Sequence, residues 1–194
     1  LHFLKHDIQK CLLHLDNLIA YTAKQQGSRP GHSIREFIEG KRVKHFKPIS
    51  LVMVLATAYL ALIHLLHIDL IVNTSGPVEP GSHIDTGKIG EWLQAHFAWI
   101  TLAFIPIHTV GTVIAFRKQG YNFFEYFILN TYKAAQKLYV SILFIPILYY
   151  YSGLPAINTV TRILLLIDFV LYYRTNQQFF NHLSKTKTFF LTLL

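Results

Sequence analysis

The chain has 194 residues, of which 52% are hydrophobic and 14% are charged, whereas about 25% are charged in a typical soluble domain. This composition argues against an ordinary soluble globule, and the single cysteine excludes an internal disulfide framework. A net charge of +8 would suit nucleic acid if it covered one face. The basic residues instead lie beside apolar segments, so we expect no nucleic-acid binding.

Residues 1–47 form a basic region that we expect to be cytoplasmic and juxtamembrane. It lacks the short apolar core and small-residue cleavage site of a signal peptide. Apolar residues at helical spacing predict an amphipathic helix lying on a membrane or a partner: Leu1, Leu4, Ile8, Leu12, Leu15 and Ile19.

A short second helix is predicted before the first apolar segment. Arg29-Pro30-Gly31 is expected to break the amphipathic helix. Ser33 with Glu36 predicts a capping box at the start of the second helix, and Gly40 can end it in a left-handed cap.

Four apolar segments, each near the roughly 20 residues that cross a bilayer, predict an all-α fold, a polytopic transmembrane helix bundle over 48–194. They cover residues 48–72, 92–116, 137–151 and 155–173. The sequence TFFLTLL at Thr188–Leu194 predicts the beginning of a fifth span, in a chain that we expect to be the interior of a longer protein.

The third span is expected to extend below the membrane. Asn122 followed by Glu125 has the spacing of a capping box, and the stretch up to Lys137 lacks Pro and Gly, so one helix is predicted to run on to Tyr151. Residues 152–155 then predict a tight hairpin, with Pro155 suited to the first turn of the fourth span.

Charge placement predicts a cytoplasmic N-terminus, because Lys and Arg near span ends stay on the cytoplasmic side. Residues 1–47 hold nine Lys and Arg, whereas the loop 69–91 holds only Lys88. Basic residues return at 117–137, are absent from 152–154 and return again at Arg174. Every connection agrees with this orientation.

The segment RPGHSIREFIEGKRVKHFKP, Arg29–Pro48, resembles the signature of a bacterial family of multi-spanning inner-membrane proteins, catalogued as a domain of unknown function. The stretch Phe104–Tyr132 is similar to a second block of that family. The full-length members of that family begin with a zinc ribbon. The ribbon cysteines are absent from this sequence, so no zinc is assigned. The resemblance implies a bacterial inner-membrane location and carries no established reaction.

The basic block within this signature is the first candidate site. Its cations could bind anionic lipid headgroups or another protein. The alternative, which we favour, is a mainly topological and structural role. The candidate residues are Arg29, Arg35, Lys41, Arg42, Lys44 and Lys47.

Intramembrane polar residues form the second candidate set: His64, His67, His96, His108, Arg162 and Asp168. His64 and His67 should share a helix face and, with His108 or Asp69, could hold a metal or haem iron. We favour ordinary structural hydrogen bonds for the histidines and predict no cofactor.

Arg162 and Asp168 lie six residues apart in the fourth span and are not expected to pair with each other. Arg162 can reach the membrane surface, and Asp168 could accept a hydrogen bond from a histidine or tyrosine of a neighbouring helix. A proton or ion relay through Asp168 and His64 or His67 is the functional alternative.

The tetrapeptide FIPI occurs in two spans, with Pro106 and Pro146 at positions where a helix can kink and form a transport site. No phosphate-binding loop, nucleophile elbow or HExxH motif is present, so we favour a non-enzymatic role. The leading hypothesis is an accessory or assembly subunit of a membrane complex that contacts lipids, including anionic headgroups, and other membrane subunits. A small transporter or ion or proton carrier, or a haem or metal protein, is the alternative.

Overall fold

The computed structural model describes residues 18–42, 45–68, 92–93 and 95–193, and its regular elements over these ranges are all helical. The first helix, α1, is described over 18–28. The following helices are α2 Pro30–Ile38, α3 Pro48–Leu65, α4 Phe97–Phe116, α5 Phe123–Leu143, α6 Ile145–Tyr150, α7 Ile157–Phe179 and α8 Lys185–Leu193. Most of the predicted amphipathic helix lies outside the described residues, as do the loop 69–91, Lys44 and Leu194.

The second helix begins at Pro30 with no side-chain cap, so the predicted Ser33 and Glu36 capping box is wrong. Proline has a fixed φ and lacks an N–H group, which suits the first helical position, so the helix starts before Ser33. Ser33 is buried inside the helix. The predicted left-handed end is confirmed, since Gly40 has φ of 101°.

The end of α3 has the same left-handed backbone geometry as Gly40, but the residue there is His67, which is less suited to a positive φ than glycine. His67 has φ of 51°, and the N–H groups of His67 and Ile68 donate to the carbonyls of His64 and Ile63. These two hydrogen bonds form a Schellman motif, in which the left-handed residue is usually glycine. Because α3 ends at Leu65, His67 lies beyond the helix, and the prediction that His64 and His67 share a helix face is wrong.

The capping box at the start of α5 is confirmed in both directions. The Glu125 N–H donates to Asn122 Oδ1 at 2.9 Å, and the Asn122 N–H donates to Glu125 Oε2 at 2.7 Å. The predicted continuous helix to Tyr151 is wrong, because α5 ends at Leu143 and α6 begins at Ile145, just before Pro146. Pro146 cannot donate a backbone hydrogen bond, which accounts for the interruption.

Helix α5 lies at the centre of the described fold and packs against α2, α3, α4 and α7. The turn between α6 and α7 contains Gly153 at φ of 72°, in agreement with the predicted hairpin, and these two helices pack together. Pro106 lies inside α4 without ending it. Helix α8 returns to pack on α7 and α4.

In the part of the chain that the structure describes, two helical segments are long and apolar enough to cross a membrane, Pro48–Leu65 and Phe97–Gln119. The central window of the second has only 11% of its residues buried, an unusual exposure for an apolar helix in water. These segments indicate membrane association. The predicted third span overlaps the end of α5 and all of α6, and the predicted fourth span overlaps α7. Helices α5 and α7 carry charged residues, and these segments do not meet the length and hydropathy criterion that the other two segments meet.

Candidate functional site

The basic block packs directly against the end of α7 at Gly31. A Cβ atom at this position would lie 2.4 Å from the Phe179 nitrogen and 2.5 Å from the Thr175 carbonyl oxygen. Only glycine therefore fits this approach of α2 to α7 without displacing backbone. The Gly31 N–H also donates to Gln178 Oε1 at 3.1 Å.

Two arginines cap helix ends across the same contact, and we call Arg35 and Arg174 the arginine clamp. Arg35 Nη2 donates to the backbone carbonyls of Gln178 and Phe179, at the end of α7. Arg174, on α7, donates to the Ser28 carbonyl at 2.8 Å, at the end of α1. Each guanidinium meets carbonyls that have no partner inside their own helix, so the clamp ties α1, α2 and α7 together.

The other cations of the block make local contacts or remain exposed. Arg29 lies 3.3 Å from a Glu36 carboxylate oxygen, and Arg42 donates to the Phe37 carbonyl at 3.3 Å. Lys41 and Lys47 are exposed, and Lys44 lies outside the described residues. Arg35 is thus an internal structural residue, whereas Lys41 and Lys47 remain available to lipid or a partner.

His45 lies buried between the block and the first span. Its ring packs edge-on against Tyr21 and Phe37, with centroids 5.5 and 6.1 Å away. Burial lowers the pKa of His45 below its usual value; Glu36 opposes this effect and Arg29 adds to it. His45 Nδ1 has no hydrogen-bond partner among the described residues, so the site favours the neutral ring.

A cavity of about 610 Å³ runs between α3, α4, α5, α7 and α8, and we call it the lysine cavity. Its lining on α4 extends from Phe97 to Phe116, about 28 Å of helix at 1.5 Å per residue. Phe104 and Ile107 line it and are also strongly exposed, so the cavity opens at the outer face of α4.

The polarity of the lining changes along the cavity. Near the beginning of α4 it is mainly apolar, with Tyr59, Phe97 and Ile100. From the middle of α4 onwards the lining also contains polar and basic side chains, beside the apolar Ala115 and Phe116: His108, Thr112, Asn130, Lys133, Lys137, Asn176 and Thr192. The cavity is therefore amphipathic along its length.

Lys133 is the most deeply buried cation at the polar end, with 5% of its surface exposed. Its Nζ atom makes one long hydrogen bond, 3.4 Å to Asn130 Oδ1, and lies 5.8 Å from the centre of the Tyr172 ring. Among the described residues, no carboxylate lies within ion-pairing distance of this amine. A buried ammonium without a counter-ion is costly, so the site favours an incoming anion.

Two amides at the polar end are held in fixed orientations. Asn130 Nδ2 donates to Thr112 Oγ1 at 3.0 Å and to the Tyr126 carbonyl at 3.0 Å, and the Thr112 hydroxyl donates to the His108 carbonyl at 2.8 Å. Asn176 Nδ2 donates to Thr192 Oγ1, whose own proton goes to the Thr188 carbonyl. Asn176 Oδ1 is buried and has no hydrogen-bond partner in the part of the chain that the structure describes.

Asp168 pairs with a lysine, Lys137, whose Nζ lies 3.7 Å from Asp168 Oδ2. The prediction of a histidine or tyrosine partner is therefore wrong, because Lys137 on α5 faces the buried carboxylate across the α5 and α7 contact. Arg162 is exposed on α7 and makes no ion pair with the described carboxylates, consistent with the expectation that it does not pair with Asp168.

The structure does not bring the predicted histidines together. His64 and His67 are exposed at the end of α3, and His96 stacks on Trp92 before α4. Only His108 lines the lysine cavity. Over the described ranges, no three His, Cys, Asp or Glu side chains form a group that could hold a metal ion.

Sequence reasoning missed Lys133 and treated it only as a marker of topology. A signal was present, because Asn130, Lys133 and Lys137 recur at spacings of three and four and therefore share one face of α5. What the sequence could not show is that this face meets α4, α7 and α8.

Residues 16–60 match the model of a family described as Protein of unknown function (DUF3667). The match covers roughly a quarter of the chain and includes the clamp residue Arg35, Gly31 and most of α3. The matched residues thus include those that dock α2 onto α7. No curated protein matches this chain, and no solved structure matches it.

Proposed function

We propose that the chain is an integral protein of the bacterial inner membrane in which α3, α4, the α5 and α6 pair, and α7 form four spans. The outward apolar surface supports this proposal. On α4, Trp99, Ile107 and Ile114 are 60% to 67% exposed, and on α7, Leu165 and Leu166 are 62% and 67% exposed. In water such surface is unfavourable, whereas in a bilayer it contacts lipid.

The proposed orientation places the N-terminus, the turn near Lys118 and the end of α7 in the cytoplasm. Leu154, in the uncharged turn between α6 and α7, then lies on the opposite side. If only α3 and α4 crossed the membrane, Leu154 and Lys118 would lie on the same side. The position of Leu154 therefore distinguishes four spans from two.

Cysteine labelling in intact cells tests this topology. Lys118→Cys, Leu154→Cys and Asn181→Cys, each in a Cys11→Ser background, are treated with a membrane-impermeant maleimide before and after permeabilisation. Four spans predict that only Leu154→Cys reacts in intact cells. Protection of all three positions until permeabilisation would show that α5 to α7 do not cross the membrane.

Within the membrane, we propose that the protein acts as a non-enzymatic accessory or assembly subunit. The arginine clamp uses its guanidinium groups to fix α1 and α2 against α7, which presents Lys41 and Lys47 on a rigid surface beside the first span. Helix α4 leaves most of its apolar surface uncovered, which suits contact with another membrane subunit as well as with lipid.

Gentle extraction from native membranes followed by mass spectrometry tests the subunit role. We expect other membrane proteins to co-purify in fixed ratio and to be lost when Trp99 and Ile107 are replaced by polar residues. Met53→Ser on α3, which is also exposed, serves as a matched control. A monomer that purifies alone would contradict the subunit role.

A second candidate function, a small carrier, is favoured by the lysine cavity and by the ion pair beside it between exposed Lys137 and buried Asp168. A proton or solute could exchange with this ion pair. Asp168→Asn should then reduce flux into proteoliposomes, whereas exposed Asn181→Asp should not change it. Unchanged flux in Asp168→Asn would remove this candidate.

A further inference from the structure

We infer that the lysine cavity binds one membrane amphiphile, with its anionic headgroup at Lys133 and its acyl chain along α4. This inference rests on the proposed membrane topology, because a bilayer supplies such molecules. It holds for either a subunit or a carrier.

The cation is the first argument. Lys133 is buried and has one long hydrogen bond to Asn130 as its only described hydrogen-bond contact, so at least two of its three donors are unused among the described residues. A phosphate or carboxylate oxygen would supply both acceptors and counter-charge. Asp168, the nearby carboxylate, is already paired with Lys137 at 3.7 Å.

The remaining polar groups favour a headgroup that also carries a donor. Asn176 Oδ1 has no described hydrogen-bond partner, and its orientation is fixed because Thr192 already donates to the Thr188 carbonyl. A hydroxyl beside the anionic group is the kind of donor that this oxygen lacks. A glycerol phosphate headgroup has both features.

The apolar part supplies the second argument. From Ile107 towards Phe97 the lining on α4 is mainly apolar and covers about 15 Å at 1.5 Å per residue, long enough for part of an acyl chain. The cavity also opens at Phe104 and Ile107, on the outward apolar face of α4. A lipid could therefore enter sideways from the bilayer without passing through water.

Gly111 provides a variant that narrows the cavity beside Thr112. It lines the cavity, and a Cβ atom there would meet no atom within 4 Å. Gly111→Leu should therefore add bulk to the lining without a clash at Cβ, and it should also improve the helix propensity of α4.

Native mass spectrometry of the full chain in a neutral detergent tests the inference, with dioleoylphosphatidylglycerol, dioleoylphosphatidylcholine and inorganic phosphate as separate probes. We expect one phosphatidylglycerol per chain and much weaker retention of phosphatidylcholine and phosphate. Lys133→Met should weaken phosphatidylglycerol binding by about 10-fold or more, the effect of losing a hydrogen bond to a charged group. Gly111→Leu should also weaken it, whereas exposed Lys118→Met should leave it unchanged.

Equal retention of both lipids, or equal binding by wild type and Lys133→Met, would overturn the inference. Binding of inorganic phosphate as tight as that of the lipid would overturn the acyl-chain part. Thermal unfolding of each variant identifies any that fails to fold, and Gly111→Leu then provides the independent test. If Leu154→Cys shows four spans while no lipid binds, only this inference fails and the topology stands.

Discussion

Arg35 is half-buried and Lys133 is buried, and the protein uses these two cations differently. Arg35 donates to two backbone carbonyls at the end of α7, where a helix has unpaired acceptors. Lys133 reaches one amide oxygen at 3.4 Å and no described carboxylate. Burial of a cation is therefore not by itself a sign of function: Arg35 Nη2 is occupied by two backbone carbonyls, although Arg35 Nε has no partner among the described residues, whereas Lys133 Nζ has one long contact.

The largest effect should come from Gly31 at the clamp. Gly31→Ala places a Cβ against the backbone of α7, and we expect a loss of about 3 kcal/mol in the free energy of unfolding, the upper part of the range for overpacking. Thermal unfolding in neutral detergent measures it. Gly27→Ala in α1 is the matched control, because a Cβ there meets no atom within 4 Å. If both variants unfold alike, α2 does not approach α7 as described.

Arg35→Met should have the next largest effect. It leaves carbonyls at the end of α7 without a charged donor, and we expect the free energy of unfolding to fall by about 2 kcal/mol. Lys41→Met, an exposed cation of the same block, should change it by less than about 0.5 kcal/mol. A large loss of stability in Lys41→Met and none in Arg35→Met would show that Lys41, and not Arg35, has the structural role.

The sequence predicted those features that depend on neighbouring residues. The capping box of Asn122 and Glu125, the left-handed Gly40 and the two most apolar helices follow from local propensity and hydropathy. The start of α2 at Pro30 was missed because a proline at the first helical position outweighed the Ser33 signal.

Long-range contacts could not be read from the sequence. The approach of Gly31 to α7 joins positions nearly 150 residues apart, and the pairing of Asp168 with Lys137 depends on the angle between α5 and α7. A single glycine or lysine in a sequence is compatible with many structural roles, and its role depends on which helices pack against it. The positions of Arg35 and Lys133 were visible in the sequence, but their partners were not.

Substitutions at the two left-handed residues, Gly40 at the end of α2 and His67 at the end of α3, should change the free energy of unfolding in opposite directions. Gly40→Ala, at the clamp end, forces a Cβ into the left-handed region and should cost about 1 kcal/mol of unfolding free energy. His67→Gly, at the far end of α3, removes such a Cβ and should stabilise by about 0.5 to 1 kcal/mol. Thermal unfolding of both variants measures this, and destabilisation by His67→Gly would show that the imidazole has a further role.

The smallest effect should be a pH dependence at His45, beside the clamp. Because burial lowers the pKa of the folded imidazole, its contribution is fully present above the unfolded value near 6.5 and is lost as the pH falls through the lowered folded value. Unfolding midpoints should therefore fall between pH 7 and pH 5 more in wild type than in His45→Phe. Parallel curves for the two proteins would exclude His45 as the cause.

The most direct test of the account compares Arg35→Met and Lys133→Met by thermal unfolding, with and without dioleoylphosphatidylglycerol. We expect Arg35→Met to be destabilised but still to gain stability from the lipid, as wild type does. Lys133→Met should be as stable as wild type or more stable without lipid, because an unpaired buried cation is removed, and it should gain little from the lipid. Destabilisation of Lys133→Met to the level of Arg35→Met, with an undiminished lipid response, would contradict the account.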